Sequence, residues 1–310
     1  MKWTATVVLT VLAAAPVFGQ GASPVVGNWD FNLGTPPRIS AVWLGVTEKA
    51  GAFDVWYQPS GGNVVQEKDF KVTGAHISVT ITAANPTNNR PATTWELDAS
   101  GDKISGVQKR GDTSTPLAGV RSPLLNRKEP AAWTDAEPLF DGKDLNGWTP
   151  IGNVANNHWV VKDGLLVNED HGANLKSDRM FDDFKLHFEV KCPDGGNSGF
   201  YLRGRYETQI EYEPLSDNPP ERRIGSIYGR ITPKDVPRTP GQWETFDVML
   251  VGRTVTIRHN GVLTIDHQTI DGITGGALDA NEGEPGPFYI QGDHTGGLSF
   301  RNITVQVPKR

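Results

Sequence analysis

The chain has 310 residues, with 30 Lys and Arg against 36 Asp and Glu, and carries a net charge of -6 with both signs interspersed. That balance offers no basic stripe to a nucleic acid or an anionic membrane surface, so neither is expected as a partner and a neutral or mildly charged ligand fits better. The 35 glycines, 22 prolines and 9 tryptophans leave few long stretches free of Gly or Pro, which excludes a fold rich in ordinary helices and points to strands and turns.

Residues 1–19 read as an export signal. Lys2 supplies the positive start, Ala5 to Ala15 form an apolar run too short to span a bilayer, Pro16 ends it, and Val17 and Gly19 suit a small-residue cleavage site. No other segment approaches the roughly 18 apolar residues of a membrane-spanning helix. A secreted or periplasmic protein without a membrane span is therefore expected. About 290 residues remain after cleavage, enough for two domains with separate cores. Cys192, the single cysteine, can form no internal disulfide and is expected in a core.

From residue 24 to 128, short apolar runs alternate with turn sequences: Trp29 to Phe31, Ser40 to Val46, Phe53 to Tyr57, Phe70 to Val72, His76 to Ile81, Thr93 to Leu97 and Lys103 to Gln108. Turns such as Pro59-Ser60-Gly61-Gly62 separate them, and the rhythm predicts a small antiparallel β barrel or sandwich of about seven or eight strands. No group of residues in it rises above packing and turns, and its role stays open. The polar segment Pro123 to Pro130 reads as a linker.

Residues 129–310 form the second expected domain. Strands are predicted at His158 to Val161, Leu165 to Asn168, Phe184 to Val190, Gly199 to Leu202, Glu207 to Tyr212, Trp243 to Leu250, Thr254 to His259, Phe288 to Gln291 and Leu298 to Val307. Hairpin signals at Asp163-Gly164 and Asn260-Gly261 favour a sandwich, and the Gly- and acid-rich stretch Asp271 to Gly286 reads as a long loop.

Within this domain the run Tyr201 to Glu211 is the most informative. If it is extended, Arg203, Arg205, Glu207, Gln209 and Glu211 share one face, and five polar groups in a row are costly to bury against apolar packing. Such a face looks into solvent or lines a wet groove. The arginines would favour an ionised Glu207. Gln209 cannot exchange protons, which argues against a double-displacement pair of carboxylates on this strand.

At these residues the chain resembles the 3-keto-disaccharide hydrolase domain family, which has a concanavalin A-like lectin/glucanase fold. The likeness runs from about Glu137 to Val307. It rests on the order of Leu-Phe-Asp-Gly-Lys-Asp-Leu-Asn-Gly-Trp (139 to 148), Trp159 with Asp163-Gly164, Asn197-Ser198-Gly199, Glu207-Thr-Gln209, Gly225-Ser-Ile-Tyr228, Gly241-Gln-Trp243, Asn260-Gly261, and Ile290-Gln-Gly-Asp-His294 leading to Phe300-Arg-Asn-Ile303. The resemblance implies an all-β protein whose C-terminal part is a concanavalin A-like sandwich (jelly roll), preceded here by a small antiparallel β domain. It further implies a carbohydrate substrate oxidised to a ketone at C3, with Glu207 and His294 as catalytic candidates and Arg203, Gln209, Tyr228 and Gln291 as substrate-binding ones. Tyr212 and Glu244 depart from the family's pattern, where Asp and Asn are common, and these departures bear on substrate choice.

A C3 ketone acidifies the proton on C2, so a base can remove it while the glycosidic oxygen leaves C1, and water addition completes a net hydrolysis. Glu207 or His294 could be the acceptor. The other histidines show no metal-ligand spacing, so no catalytic metal and no cofactor are expected. A structural calcium is conceivable at Asp271, Asp279, Glu282 and Glu284. The competing reading is a non-catalytic glycan-binding module. Convergence of Arg203, Glu207, Gln209 and His294 in one pocket would separate the two.

Overall fold

A computed structural model describes residues 23–36, 38–82, 92–216, 218–234 and 238–309, so the expected export signal lies outside the described residues. Nine strands come first: β1 (Gly27–Thr35), β2 (Arg38–Lys49), β3 (Ala52–Gln58), β4 (Val65–Glu67), β5 (Phe70–Thr73), β6 (His76–Ile81), β7 (Thr93–Ser100), β8 (Lys103–Arg110) and β9 (Thr113–Arg121). They make one antiparallel sheet in the order β4-β3-β2-β1-β9-β8-β7-β6-β5. Alternate residues such as Trp29 and Phe31, Leu44 and Val46, and Trp95 and Leu97 point to a common inner core. The sheet curls on itself: buried Glu67 of β4 accepts the backbone N–H of Thr82, after β6, at 3.1 and 3.2 Å and its hydroxyl at 2.9 Å. Strands β4 and β9 come in addition to the runs expected from sequence. Of the first seven residues of β9 only Leu117 and Gly119 are buried, and Pro116 interrupts it, so it carries little apolar signal.

The second unit contains β10 (Glu137–Pro138), β11 (Trp148–Ile151), β12 (Trp159–Lys162), β13 (Leu165–Asn168), β14 (Asn174–Phe181), β15 (Phe184–Lys191), β16 (Asn197–Leu202), β17 (Tyr206–Glu211), β18 (Trp243–Val251), β19 (Thr254–His259), β20 (Val262–Thr269), β21 (Gly286–Ile290) and β22 (Leu298–Gln306). The larger sheet runs β12-β13-β22-β15-β18-β19-β20 with β10 added to β22, and the smaller runs β11-β14-β21-β16-β17. They pack face to face over Phe188, whose ring stacks on Phe200 of the smaller sheet at 4.4 Å and on Phe246 at 4.9 Å. Cys192 joins this core, and burial pushes its thiol up to about 12. The fold is all-β, the architecture expected from sequence. Among the described residues no helix is long and apolar enough to cross a membrane.

Segment 271–286, expected as a plain loop, is the surface on which the first unit docks. Ala41 and Trp43, on the outer face of β2, pack against Ile273, Ala277 and Ala280, and the Arg230 guanidinium lies 4.3 Å over the Trp43 ring. Asn28 Nδ2 donates to Asp271 O at 2.8 Å, and Asn32 Oδ1 accepts from Ala280 N at 2.8 Å. Three of the acids considered for calcium are held by arginines: Asp271 by Arg230, Asp279 by Arg205 and Glu282 by Arg253. Among the described residues no group of three or more His, Cys, Asp and Glu side chains is placed to hold a metal ion.

Candidate active site

The site grows from the outer face of the smaller sheet. In β16, β17 and β21 the residues Phe200, Ile210, Phe288 and Ile290 point into the core, so their neighbours Gly199, Tyr201, Glu207, Gln209 and Tyr289 face outward. Register sets Tyr201 opposite Glu207 on one side and Tyr289 on the other, with Gly199 opposite Gln209. Position 199 has to be glycine, because a Cβ there would lie 2.1 Å from Glu207 Oε1.

Two banks rise beside this face. Residues 225–228 run along β17, with Gly225 N donating to Gln209 O at 2.8 Å and Tyr228 N to Glu207 O at 3.0 Å, which brings Tyr228 beside the carboxylate. On the other side Thr274 Oγ1 accepts Glu207 N at 3.0 Å, and Gly275 O accepts the Tyr201 hydroxyl at 2.7 Å. Together they enclose a cavity of about 280 Å³ lined by Asn197, Tyr201, Glu207, Gln209, Tyr228, Tyr289, Gln291, Asp293, His294, Gly275 and Gly276, and by Ser60, Gly61 and Gly62 of the first unit.

Glu207 is buried, and burial pushes its carboxyl up to about 8, against the opposing influence of the Tyr201 hydrogen bond and of His294. Hydrogen-bond accounting leads to the same protonation state. The Tyr201 hydroxyl has one hydrogen but two acceptors, Glu207 Oε2 at 2.9 Å and Gly275 O at 2.7 Å, while Gln291 Nε2 donates to it at 3.0 Å. A protonated Glu207 resolves this: the phenol donates to Gly275 and accepts from the carboxyl. With its amide turned to satisfy both ends, Gln209 Nε2 lies 3.0 Å from Glu207 Oε1 and 3.0 Å from Ser198 O. Asp293 Oδ1 holds His294 Nδ1 at 2.9 Å, and this bond raises the imidazole's proton affinity above the ordinary range, despite partial burial. Gln291 Oε1 is buried without a partner at the cavity wall, an open acceptor for a hydroxyl.

Of the residues proposed from sequence, Glu207, Gln209, Tyr228, Gln291 and His294 line this cavity; Arg203 does not. The run is not one extended strand. Arg203 and Gly204 adopt left-handed backbone, with φ of 53° and 67°, and turn β16 into β17. Arg203 is wholly buried, donating to Gly252 O at 2.7 Å and to Asp182 Oδ1 at 3.3 Å, and Arg205 Nε donates to Asp279 Oδ1 at 2.7 Å. The arginines staple loops, so they do not favour an ionised Glu207, and its environment reverses that expectation.

The two departures from the family pattern also sit elsewhere. Tyr212 donates to buried Glu244 Oε1, and Glu244 Oε2 lies 2.9 Å from His259 Nε2, all outside the cavity lining. They form one structural contact away from the cavity. Sequence reasoning missed Tyr201, Tyr289 and Asp293, each of which carried a signal: Tyr201 and Tyr289 fall two residues from Arg203 and Gln291 on strand runs, and Asp293 is inside the Gln-Gly-Asp-His motif.

Fold and cavity together define a two-sheet β-sandwich with a pocket of titratable groups on the outer face of its smaller sheet. The chain belongs to the family described as 3-keto-alpha-glucoside-1,2-lyase-like domain, whose model matches residues 135–306. It is similar to a Bacteroides thetaiotaomicron protein named 3-keto-disaccharide hydrolase, 26% identical over 206 residues covering 53% of this chain and 71% of that one. A solved Parabacteroides distasonis protein assigned as a glycosyl hydrolase is 30% identical, covering 56% of this chain and 84% of that chain with a TM-score of 0.45. A laminarinase from Flavobacterium is 12% identical, covering 57% and 100% with a TM-score of 0.34.

Proposed function

We propose that this protein is a carbohydrate-active enzyme that cleaves 3-keto-glycosides by elimination across C1 and C2, followed by water addition. The observation that carries the reading is the pairing, in one cavity, of a neutral buried carboxyl, Glu207, with an Asp293-held imidazole, His294. His294 takes the C2 proton and the C2–H electrons move into an enolate, to whose oxygen the Tyr228 hydroxyl donates. Its collapse forms the C1=C2 bond and breaks the bond from C1 to the glycosidic oxygen. Glu207 delivers a proton to that departing oxygen, giving a free alcohol and an unsaturated 3-keto-sugar. As water adds, its oxygen bonds C1 while Glu207 takes back one of its protons, and His294 returns its proton to C2, so both groups are restored and the sum is hydrolysis. An export signal at residues 1–19 would place this activity outside the cytoplasm.

The test is incubation with 3-keto-glucosides and their unoxidised parents, with product analysis by mass spectrometry. Release of the alcohol from the ketones alone is expected. Cleavage only of the unoxidised parents would overturn the reading, and binding of both without turnover would indicate a glycan-binding module.

A further inference from the structure

The first β unit lies outside residues 135–306, yet it supplies part of the cavity wall. Its turn between β3 and β4 crosses the site from bank to bank. On one bank Gly276 N donates to Ser60 O at 2.8 Å, and Gly275 lies so close beneath the turn that a Cβ on it would come 2.3 Å from Gly62 O. On the other, a Cβ on Gly229, next to Tyr228, would come 2.8 Å from Asn63 Oδ1. The turn is fixed from within as well. Gln58, fully buried, donates through Nε2 to Pro59 O at 2.9 Å and Gly62 O at 2.8 Å. Behind it the Trp43 cluster packs β2, with Val64 of the turn itself against it, on segment 271–286. Ser60, Gly61 and Gly62 line the cavity and the same turn touches both banks, so a glycan chain laid along this face would meet it.

We propose that residues 60–63 are a length-limiting wall: they make the site accept the end of a short glycoside and reject the interior of a longer chain. This rests on the reading of the cavity as a 3-keto-glycoside site.

The experiment compares wild type with two variants on 3-keto-glycosides of two, three and four sugar units, and in parallel measures binding of the unoxidised series by calorimetry. Deleting Gly61 and Gly62 should open the end. Gly61→Trp should tighten it, since a Cβ at Gly61 meets nothing within 4 Å and its backbone is not left-handed. Wild type should lose at least tenfold in kcat/KM from two to four units. The deletion should raise the four-to-two ratio at least tenfold, and Gly61→Trp should lower turnover of three units relative to two at least threefold. If the deletion does not fold, the Gly61→Trp ratio decides alone. A wild type indifferent to length, or folded variants with the wild-type profile, would overturn the wall. If no ketone is turned over, the proposed function fails separately. The binding series then decides, and affinity that falls with length in wild type but not in the deletion variant sustains the wall, whereas its absence overturns it.

Discussion

The raised proton affinity of Glu207 has a consequence for stability and, on the proposed function, one for catalysis. Its unfolded counterpart titrates near the ordinary glutamate value of about 4.3, while the folded group holds its proton to about 8. Between those limits the folded state binds more protons than the unfolded one, so this group's contribution is full below about pH 4 and is lost as pH rises through about 8. Glu207→Gln keeps a neutral group in place. It is expected to flatten the decline in melting temperature between pH 5 and 8 while lowering turnover of 3-keto-glucosides by about 100-fold, the scale of a lost general acid. With a nitrophenolate leaving group, which needs no proton, the loss should be much smaller; an equal loss on both would assign Glu207 to C2 instead. Wild-type activity should fall below the raised value of His294, where the base is protonated, and again above about pH 8, where the acid is spent. Gly199 carries a second prediction. The methyl of Gly199→Ala would meet Glu207 Oε1 at 2.1 Å and must displace the carboxyl, so a loss of about 100-fold in kcat is expected in a folded protein. Unchanged kcat would show that the carboxyl's position is not critical.

The strands show what the sequence makes legible. Leu165–Asn168 and Thr254–His259 match their expected bounds because alternation there is clean, whereas β14 was invisible: Asp178, Arg179 and Met180 are exposed around a register shift between Lys176 and Met180. In the site, Glu207, Gln209 and the Gln291–His294 segment were legible because they sit on motifs or on a regular strand. Arg203 misled because an extended reading ran through Gly204, where the chain turns. Ser60 to Gly62 could not be found, since their place depends on docking between distant segments. The Tyr212–Glu244 contact is a case of element-level compensation. Hydrogen bonds from His259, Thr239 and Tyr212 overcome the upward push of burial and hold the Glu244 carboxyl below its ordinary range. Tyr212→Phe removes the bond to Glu244 and the one its hydroxyl accepts from Thr239 N, and Glu244→Gln weakens three. Each is expected to cost about 1–3 kcal/mol, and the double variant clearly less than the sum, because they share the lost contact. Urea unfolding of the four proteins checks this; strict additivity would separate the two residues.

A buried acid pair lies where the two units meet, and part of the molecule's pH response follows from it. Asp30 of β1 lies beside Glu282 of segment 271–286, with Arg253 bonded to Glu282 and the Ser122 hydroxyl donating to Asp30 Oδ1 at 2.5 Å. Burial, and then the neighbouring Glu282, push Asp30 up to about 8 despite Ser122 and Arg253. The shift is upward, so its stabilising share is full below the unfolded value of about 3.9 and lost as pH rises through about 8. The slope cannot exceed about 1.4 kcal/mol per pH unit for one proton. Above about pH 8 Asp30 loses its proton beside Glu282, and the junction is expected to weaken. Asp30→Asn keeps the acceptor for Ser122 and removes the charge. Its melting temperature should be close to wild type at pH 5 and higher by several degrees at pH 8.5, with a shallower fall between. Because Glu207 contributes a decline of its own over the same range, the Asp30→Asn and Glu207→Gln effects should add, the two residues sharing no partner. A wild-type pH profile in Asp30→Asn would show that the junction does not hold the proton that its burial calls for.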